Sequence, residues 1–521
     1  MCKKTSALII TAALVLTGCS GTGVYKVSPD ADSTFVSMEN EAVISYDVPM
    51  SRPHILTDQL GYEPGSRKLS FMYGKDLPEE FELVDASTLK TVFTGKVESK
   101  GYYDDYSSEI GVADFSEYDT PGTYYIESKH LGRSYTFDIG SNLYDDIFRE
   151  ACRTYYYNRC GITLTEDQAG VNAHNACHTQ NAVLRQDMTV QRDVTGGWHQ
   201  DSTGSKDIVS SSKVMGCLLL SYELFPDAFT DDTGIPESGN GIPDILDEAR
   251  YETEWFLKMQ DDETGAVFSG ITVTPGSNGP GMMIYVEKPD MESARAFAFA
   301  VAKFGYFYQT YDIEFATMCL KAADRAFKYS LLNEEAGEGN TPFKLAAACE
   351  IYRASGSEQC QTYIDSYFGS SPVLDDPDEI TVQGLVTYIN TKVSVNRDYC
   401  TTAINAILKE AEEISEKSRN SALLVPEGPI AADCTELLSD MLVMTVVDHI
   451  ITNNEYDNVL VNSLHYILGR NGMSVSYIDN VGEFSYRQLH DSLGIMKQFG
   501  TNSELIFMLS RMMSRDGFVE E

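Results

Sequence analysis

The sequence predicts a multidomain chain in which an all-β sandwich comes before a larger all-α toroid. Three observations support this fold class. The chain has 521 residues, whereas an ordinary domain has about 100–200. From about residue 53 to residue 139, short alternating runs lie between turn residues, which is typical of strands. From residue 143 onwards, apolar residues recur every three or four positions, which is typical of helices.

The composition and charge of the chain narrow the classes of function. Apolar residues make up 43% and charged residues 22%, as in globular domains with buried cores. The 39 Lys and Arg residues stand against 78 Asp and Glu residues, which gives a formal net charge of -39. Because such a surface repels phosphates and anionic headgroups, nucleic acid binding and peripheral membrane binding are disfavoured. A neutral partner such as a carbohydrate is compatible with this charge.

The first 19 residues have the pattern of an export signal. Lys3 and Lys4 precede an apolar run over residues 7–16, which is long enough for a signal peptide and too short to span a bilayer. The run leads into Leu-Thr-Gly-Cys, which ends at Cys19 and resembles the bacterial lipoprotein signal, whose cysteine is acylated. We expect residues 1–19 to be a lipoprotein signal peptide, Cys19 to be the lipidation site, and the mature chain to be extracytoplasmic and anchored to the cell membrane by lipid. An ordinary signal peptide with an incidental cysteine is the alternative.

The rest of the chain divides into a tether, a sandwich and a helical part. Residues 20–51 are polar and are predicted to form a flexible tether. Over residues 52–140, runs such as Phe81–Val84 and Thr123–Ile126 predict a β-sandwich. Over residues 143–515, the helical period without intervening strands predicts an all-α toroid. A helical solenoid would need a fixed sequence repeat, and none is seen.

Several blocks of sequence identify a family resemblance. The most specific is the run Ile235–Ala249, Ile-Pro-Glu-Ser-Gly-Asn-Gly-Ile-Pro-Asp-Ile-Leu-Asp-Glu-Ala. Others are Ile55–Tyr62, Tyr155–Gly161 and Leu464–Asn471. Together they resemble glycoside hydrolase family 9, the inverting cellulases whose (α/α)6 barrel often follows an N-terminal immunoglobulin-like domain. The resemblance implies an immunoglobulin-like sandwich, an (α/α)6 barrel, and cleavage of β-1,4-glucan or related β-glucans and oligosaccharides in polysaccharide catabolism.

Two cysteines and two histidines form a candidate metal site. Cys160 is followed by the pair Cys177 and His178 and then by His199. Two thiolates and two imidazoles make a closed tetrahedral set, which suits a structural zinc ion. In members of the resembled family that carry the immunoglobulin-like domain, the matching residues hold zinc, and calcium is a second metal to consider. A Cys160–Cys177 disulfide beside two unrelated histidines is the alternative.

The residues for acid–base chemistry match the family only in part. Inverting hydrolysis needs one carboxyl group to protonate the leaving oxygen and a second to activate water. The family's base lies in Asp-Ala-Gly-Asp, one residue after Gly-Gly-Trp, but here Gln200 and Thr203 occupy the two aspartate positions. Asp201 is the expected substitute base, with Asp207 further along, although a solvated loop carboxylate is the plain alternative for Asp201.

The expected acid lies near the end of the chain. The segment Thr501–Ile506 resembles the family's Asn-Glu motif with one extra residue, which points to Glu504. A glutamate that only complements a helix dipole is the alternative. The family's His-His-Arg substrate block is missing, and no motif supports Arg487 and His490 as its replacement.

Aromatic residues are the usual platforms for sugars, and this chain has only two tryptophans. Trp198 lies beside the expected base loop and is the candidate substrate-binding residue, whereas Trp255 has the spacing of a core residue. Tyr155 to Tyr157 are expected to pack between helices. Two functions follow from the sequence: a hydrolase of β-glucan, or a surface glycan-binding lipoprotein that keeps the fold and zinc but has lost turnover.

Overall fold

The computed structural model describes residues 52–275, 282–334, 340–372, 374–428, 433–485 and 494–515. The chain from His54 onwards forms one compact unit. The predicted signal peptide and tether, with Cys19, lie outside the described residues, as do Arg487 and His490. None of the helices in the described part of the chain combines the length and the hydropathy that a membrane span requires.

A β-rich part comes first, as the sequence predicts. Its strands are β1 (Ile55–Leu56), β2 (Gly61–Tyr62), β3 (Leu69–Gly74), β4 (Glu80–Asp85), β5 (Lys90–Tyr103), β6 (Ser108–Asp114), β7 (Gly122–Ser128), β8 (Gly132–Arg133) and β9 (Phe137–Ile139). They are ordered β1-β3-β6-β5-β4-β7-β9-β2, with β8 paired to β7. The long strand β5 pairs with β4 up to Lys96 and with β6 from Val97. Met72 of β3, on the β6 side of this change of partner, and Phe81 of β4, on the other side, pack in one buried cluster. The two sets of strands therefore enclose a common core.

A helical part follows. Its helices are α1 (Asp145–Tyr157), α2 (Glu166–Ala169), α3 (Ile208–Leu224), α4 (Asp244–Lys258), α5 (Met291–Tyr308), α6 (Ile313–Leu332), α7 (Pro342–Ser355), α8 (Glu358–Gly369), α9 (Glu379–Asn390), α10 (Arg397–Asn420), α11 (Thr435–Ile450), α12 (Asn454–Ile467) and α13 (Thr501–Arg515). Many begin where a short polar side chain accepts a hydrogen bond from the first turn. These caps are Asp207, Asp290, Asp312, Ser357, Asp378, Asn396 and Asn453.

Six of the helices pack in a closed sequence. Helix α3 contacts α5, α5 contacts α7, α7 contacts α9, α9 contacts α11, α11 contacts α13, and α13 contacts α3. Helix α5 is buried at every residue from Ser293 to Gly305, whereas α10 buries one face. Helices α4, α6 and α10 each lie against two neighbours in this sequence, and α1, α8 and α12 each lie against one. The helices of the closed sequence therefore form an inner set, and the outer helices α1, α4, α6, α8, α10 and α12 pack against it.

The helical part also contains a small sheet, and here the prediction of no strands between the helices was wrong. The strands β10 (Ala182–Leu184), β11 (Gln191–Arg192), β12 (Lys206–Asp207), β13 (Gly270–Pro275) and β14 (Met282–Val286) are ordered β11-β10-β14-β13-β12. Ile271 pairs with Val286 across the hairpin. The strands have only two to six residues, so most of them are too short for a detectable period of two.

The block Ile55–Tyr62 joins the β-rich part to the helical part. Asp58 Oδ2 lies 2.7 Å from His465 Nδ1, and both side chains are buried. The Gln59 amide donates to the carbonyls of Ser474 (3.0 Å) and Phe484 (3.2 Å) and accepts from the Phe484 N–H (2.9 Å). This block therefore holds the chain segment that leads from α12 towards α13.

Candidate functional site

The four predicted metal ligands come together at the end of α1. Cys160 donates its N–H to the carbonyl of Gly197 (2.7 Å), and His199 donates its N–H to the carbonyl of Asn158 (2.8 Å). These two hydrogen bonds hold the segment after α1 antiparallel to the segment that contains Trp198. The loop with Cys177 and His178 completes the group, and all four ligand atoms lie within 4.8 Å of one another.

The spacing of the ligand atoms fits a tetrahedral metal ion. Bonds of about 2.3 Å to sulfur and about 2.0–2.1 Å to nitrogen give tetrahedral edges of about 3.8 Å between sulfurs, 3.6 Å between sulfur and nitrogen, and 3.4 Å between nitrogens. The two sulfurs of Cys160 and Cys177 are 3.9 Å apart. Cys160 Sγ lies 3.3 Å from His178 Nδ1, Cys177 Sγ lies 3.2 Å from His199 Nε2, and the two nitrogens lie 3.4 Å apart. Both cysteines are free thiols, so the structure favours a metal set over a disulfide.

The loop after His199 folds over these ligands. Gly204 has a φ of +77°, and a Cβ on it would lie 2.3 Å from His178 Cε1, so only glycine fits there. Lys206 is buried, donates to the carbonyl of Val194 (3.1 Å) and lies 4.7 Å from the centre of the Trp255 ring. Burial lowers the pKa of Lys206, and electrostatic interactions with Cys160 and Glu252 oppose that effect. The backbone of residues 200–206 is thus fixed against the cluster.

The polar side chains of this loop, including those at the family's aspartate positions, make structural hydrogen bonds. The Gln200 amide donates to the Asp207 carbonyl and to Ser211 Oγ, at 2.7 Å each, and accepts from the Asp207 N–H at 3.0 Å. Asp201 is exposed, and its Oδ1 accepts from the N–H (2.7 Å) and hydroxyl (2.6 Å) of Thr203. Asp207 caps α3 by accepting from the Ser210 N–H (2.8 Å). Of these groups, Asp201 alone is a carboxylate on the expected base loop.

A cleft of about 630 Å³ opens beside this loop. Asp201 lines it, together with residues of α1, the segment Ile478–Val481 and the segment before α13. Its aromatic side chains are Tyr157 and Phe499. The sequence predicted Tyr157 only as a packing residue. The exposure of each tyrosine depends on its position around α1. Tyr155 and Tyr156 are buried, whereas Tyr157 is half-buried and donates its hydroxyl to Glu150 (3.1 Å).

Trp198 lies in the core and offers no face to a sugar, which corrects its assignment as a substrate-binding residue. Its side chain is 0% exposed, and its indole N–H donates to Glu248 Oε2 (3.2 Å). Its backbone N–H donates to Glu252 Oε2 (2.6 Å). Burial raises the pKa of Glu248 to about 6 and that of Glu252 to about 7. Trp198 therefore fixes the start of the loop rather than contacting a ligand.

Glu504 lies in the first turn of α13, among residues from other inner helices. Its side chain is 9% exposed, and within the described residues its Oε2 has no hydrogen-bond partner. Burial, followed by the neighbouring carboxyl group of Glu379, raises the pKa of Glu504 well above its ordinary value, while Lys213 opposes the rise. A raised pKa favours the protonated form, which is the form in which a carboxyl group can act as an acid.

The structure brings the four candidate metal ligands together but does not place the two expected catalytic carboxyl groups in one cavity. Asp201 lines the cleft, whereas Glu504 is absent from the described residues that line it. Gln200 connects the two regions, because it lines the cleft and also bonds to Ser211 in α3. Two residues further along α3, Lys213 interacts with Glu504.

Comparisons with known proteins agree with this architecture. The model of Glycosyl hydrolase family 9 matches residues 144–504, and that of the Cellulase N-terminal ig-like domain matches residues 50–133. Endoglucanase D of Acetivibrio thermocellus is 26% identical over 75% of this chain and 67% of its own length, so the chain spans about two thirds of that relative. The Xyloglucan-specific endo-beta-1,4-glucanase BoGH9A of Bacteroides ovatus is 26% identical over 84% of this chain and 82% of its own length.

Solved structures show the same fold. A metagenome-derived glycoside hydrolase family 9 endoglucanase superposes with a TM-score of 0.78 at 22% identity, over 88% of this chain and 98% of that one. A Zn-binding triple mutant of the family 9 endoglucanase J30 superposes with a TM-score of 0.75 at 20% identity, over 86% of this chain and 99% of that one. Since the family model alone covers more than half of the sequence, the chain belongs to glycosyl hydrolase family 9 and carries an ig-like domain of the cellulase type at its N-terminal side.

Proposed function

We propose that this protein is a glycoside hydrolase that cleaves β-1,4-glucan or related β-glucans and oligosaccharides, in the manner of an endoglucanase and with inversion. The observation that carries the proposal is Glu504. It lies in the first turn of α13, in a segment that resembles the family's acid motif, and its surroundings raise its pKa, which favours the protonated form. The relatives' printed activities, on glucan and xyloglucan, support the substrate class.

We infer that the closed set of six inner helices is the (α/α)6 barrel of the family, with the ig-like part as an immunoglobulin-like sandwich. Four inner helices contribute polar residues near their first turns to one place. These residues are Lys213 of α3, Glu379 of α9, Ser439 of α11 and Glu504 of α13. Their convergence supports a reaction centre at this end of the barrel, next to the loop that carries Asp201.

In the proposed reaction Glu504 donates its proton to the glycosidic oxygen as the bond from C1 to that oxygen breaks. Water attacks C1 from the opposite face, and Asp201 takes the proton from that water. The Gln200 amide and the Thr203 hydroxyl cannot accept a proton near neutral pH. Thr203 engages only Oδ1 of Asp201, and no described residue bonds to Oδ2.

We propose that zinc occupies the set of Cys160, Cys177, His178 and His199. The donor types and their spacing support this choice. Four protein ligands leave no open position, so the ion would stabilise the fold and hold the loop after His199. Calcium stays a prediction without assigned ligands.

Product analysis tests the proposed function. The chain without residues 1–19 is incubated with cello-oligosaccharides, mixed-linkage β-glucan and xyloglucan, and early products are followed by NMR. We expect released oligosaccharides with the inverted anomer at their new reducing ends. One observation favours the second candidate, a glycan-binding lipoprotein without turnover: Gln200 and Thr203 replace both family aspartates. Binding of cello-oligosaccharides without any released sugar would establish that candidate instead.

We propose that Cys19 is acylated and anchors the protein outside the cytoplasm, which the Leu-Thr-Gly-Cys pattern after an apolar run supports. Cys19→Ala is expected to shift the protein from the membrane fraction to a soluble or unprocessed form, because the residue that receives the lipid is lost. Fractionation followed by immunoblotting measures this change. Cys2→Ala, within the predicted signal peptide, is the matched control and should fractionate like the wild type. The lipoprotein assignment fails if Cys19→Ala is processed and fractionates like the wild type.

A further inference from the structure

The cleft beside Asp201 has no tryptophan available to contact a sugar. Trp198 and Trp255, the two tryptophans of the chain, are both 0% exposed. Among the described residues that line the cleft, the aromatic ones are Tyr157 and Phe499. Ligand sites combine apolar or aromatic surface with a few polar groups, so the aromatic surface of this cleft comes from these two rings.

The two rings have different surroundings. Phe499 lies edge-on to Tyr155 (ring centres 5.8 Å apart) and to Trp198 (6.1 Å), and its carbonyl accepts a hydrogen bond from the Tyr155 hydroxyl (3.0 Å). Phe499 therefore belongs to the packing that buries Trp198. Tyr157 is the last residue of α1 and is half-buried, and its aromatic neighbour in the described part of the chain is the adjacent Tyr156.

Two charged side chains of α1 fix the orientation of the Tyr157 ring. The Tyr157 hydroxyl donates to Glu150 Oε2 (3.1 Å), and the Arg153 guanidinium lies over the ring, 5.2 Å from its centre. Arg153 is itself held, because it donates to Glu150 Oε1 (3.3 Å) and to the Gln168 carbonyl (3.0 Å). The three residues are spaced by three and four positions and so share one face of the helix. A ring that is already oriented loses little side-chain freedom when it binds a ligand.

The polar residues of the cleft suit an uncharged sugar. The amides of Asn158 and Asn172 lie in its lining and can bond to the hydroxyls on the rim of a sugar ring. Besides His199 of the metal set, the charged residues in the described lining are Asp146, Glu150, Asp201, Asp479 and Lys497. Because carboxylates outnumber cations here, an anionic glycan such as a polyuronate is repelled.

We propose that Tyr157 is a substrate-binding residue of this cleft, whose ring stacks against the C–H face of one glucose unit of an uncharged β-glucan. The identity of the sugar rests on the proposed function, and the contact with the ring adds to it. Glu150 and Arg153 hold the ring, and the amides and carboxylates of the lining bond to the hydroxyls of the same sugar chain.

Calorimetric titration with cellohexaose tests the proposal. All variants are made in a Glu504→Gln parent, which limits hydrolysis of the ligand. Tyr157→Ala should weaken binding by about tenfold, the effect of losing about 60 Å² of apolar contact at about 25 cal/mol per Å². Tyr157→Phe should bind almost as tightly as the parent, because the ring remains. Tyr157→Leu, which keeps apolar bulk without a flat ring, should weaken binding and serves if the alanine variant does not fold.

Tyr363→Ala is the matched control. Tyr363 of α8 is likewise half-buried, donates its hydroxyl to a side-chain oxygen of Asn340 (2.9 Å) and has the Lys344 ammonium 4.9 Å from its ring centre. It is not among the residues that line the cleft, so its variant should bind cellohexaose like the parent. Equal losses in Tyr157→Ala and Tyr363→Ala overturn the proposal, and so does equal affinity in all variants or no binding by the parent.

Kinetics on soluble β-glucan give a second measurement, with Glu504 intact. Since the ring contacts the sugar equally in the ground state and the transition state, Tyr157→Ala should raise KM and leave kcat nearly unchanged. A fall in kcat at unchanged KM overturns the role of Tyr157. If the wild type releases no sugar but Tyr157→Ala still loses affinity for cellohexaose, the hydrolase function fails and the binding role of Tyr157 stands.

Discussion

Glu504→Gln is expected to lower turnover on β-glucan by about 100- to 10,000-fold, the contribution of a positioned acid. The amide fills the same space in the first turn of α13 but has no acidic proton for the leaving oxygen. The measurement is kcat on soluble β-glucan and on an aryl glycoside with an acidic phenol. Since an acidic phenol leaves without protonation, the aryl glycoside should lose much less rate than the glucan.

The comparison of the two substrates separates an acid from a structural glutamate. A variant that is merely misfolded loses rate on both substrates and melts at a lower temperature. Equal losses on both, with unchanged melting, would contradict the assignment of Glu504 as the acid. Asp201→Asn and Asp207→Asn test the base in the same assay. Full activity in the first and none in the second would move the base from Asp201 to Asp207.

The helices and the clustering of the four candidate metal ligands could be predicted because their signals are local in the sequence. Apolar residues recur at helical spacing, and caps such as Asp290 and Asp378 stand at the starts of helices. The ligands Cys177 and His178 are adjacent, and His199 follows a Gly-Gly-Trp motif. A tetrahedral site restricts residue types strongly, so the set could be identified before its distances were known.

The surroundings of Glu504 could not be predicted, because they come from residues that are far apart in the sequence. Glu379 of α9 raises the pKa of Glu504 only because both helices belong to the same closed set, and no local pattern in the sequence marks Glu379. Burial also depends on the tertiary structure. Trp198 lies beside a loop in the sequence, yet three-dimensional packing against Tyr155 (ring centres 4.9 Å apart) removes it from the surface.

Both the sequence and the structure are needed to describe the loop that carries Asp201. The sequence shows that Gln200 and Thr203 replace aspartates, and the structure shows what they do instead. Gln200 joins the loop to Asp207 and to Ser211 of α3, and Thr203 bonds to Asp201. These contacts stabilise the loop without adding a base. The proposed base role at this loop therefore falls to Asp201, whose position depends on what fixes the backbone before it.

Cys177→Ser is expected to reduce bound zinc from about one ion per chain to near zero and to lower the free energy of unfolding by about 3–5 kcal/mol. A serine hydroxyl does not ionise near neutral pH as a thiol bound to zinc does, so the tetrahedral set loses one strong ligand. Metal analysis and thermal melting measure the two effects. Chelation of zinc from the wild type should lower its melting temperature in the same direction.

Cys400→Ser is the matched control, because Cys400 is a half-buried free thiol on α10 that is not part of the metal cluster. It should keep its zinc and its melting temperature. Because His199 directly precedes Gln200, loss of the ion should also loosen the loop with Asp201. The turnover of Cys177→Ser should therefore be reduced even at assay temperatures well below the melting temperature of the variant. Zinc-free wild-type protein with a Cys160–Cys177 disulfide in its mass spectrum would contradict the metal assignment. It would leave the loop held by Gln200, Gly204 and Lys206 alone.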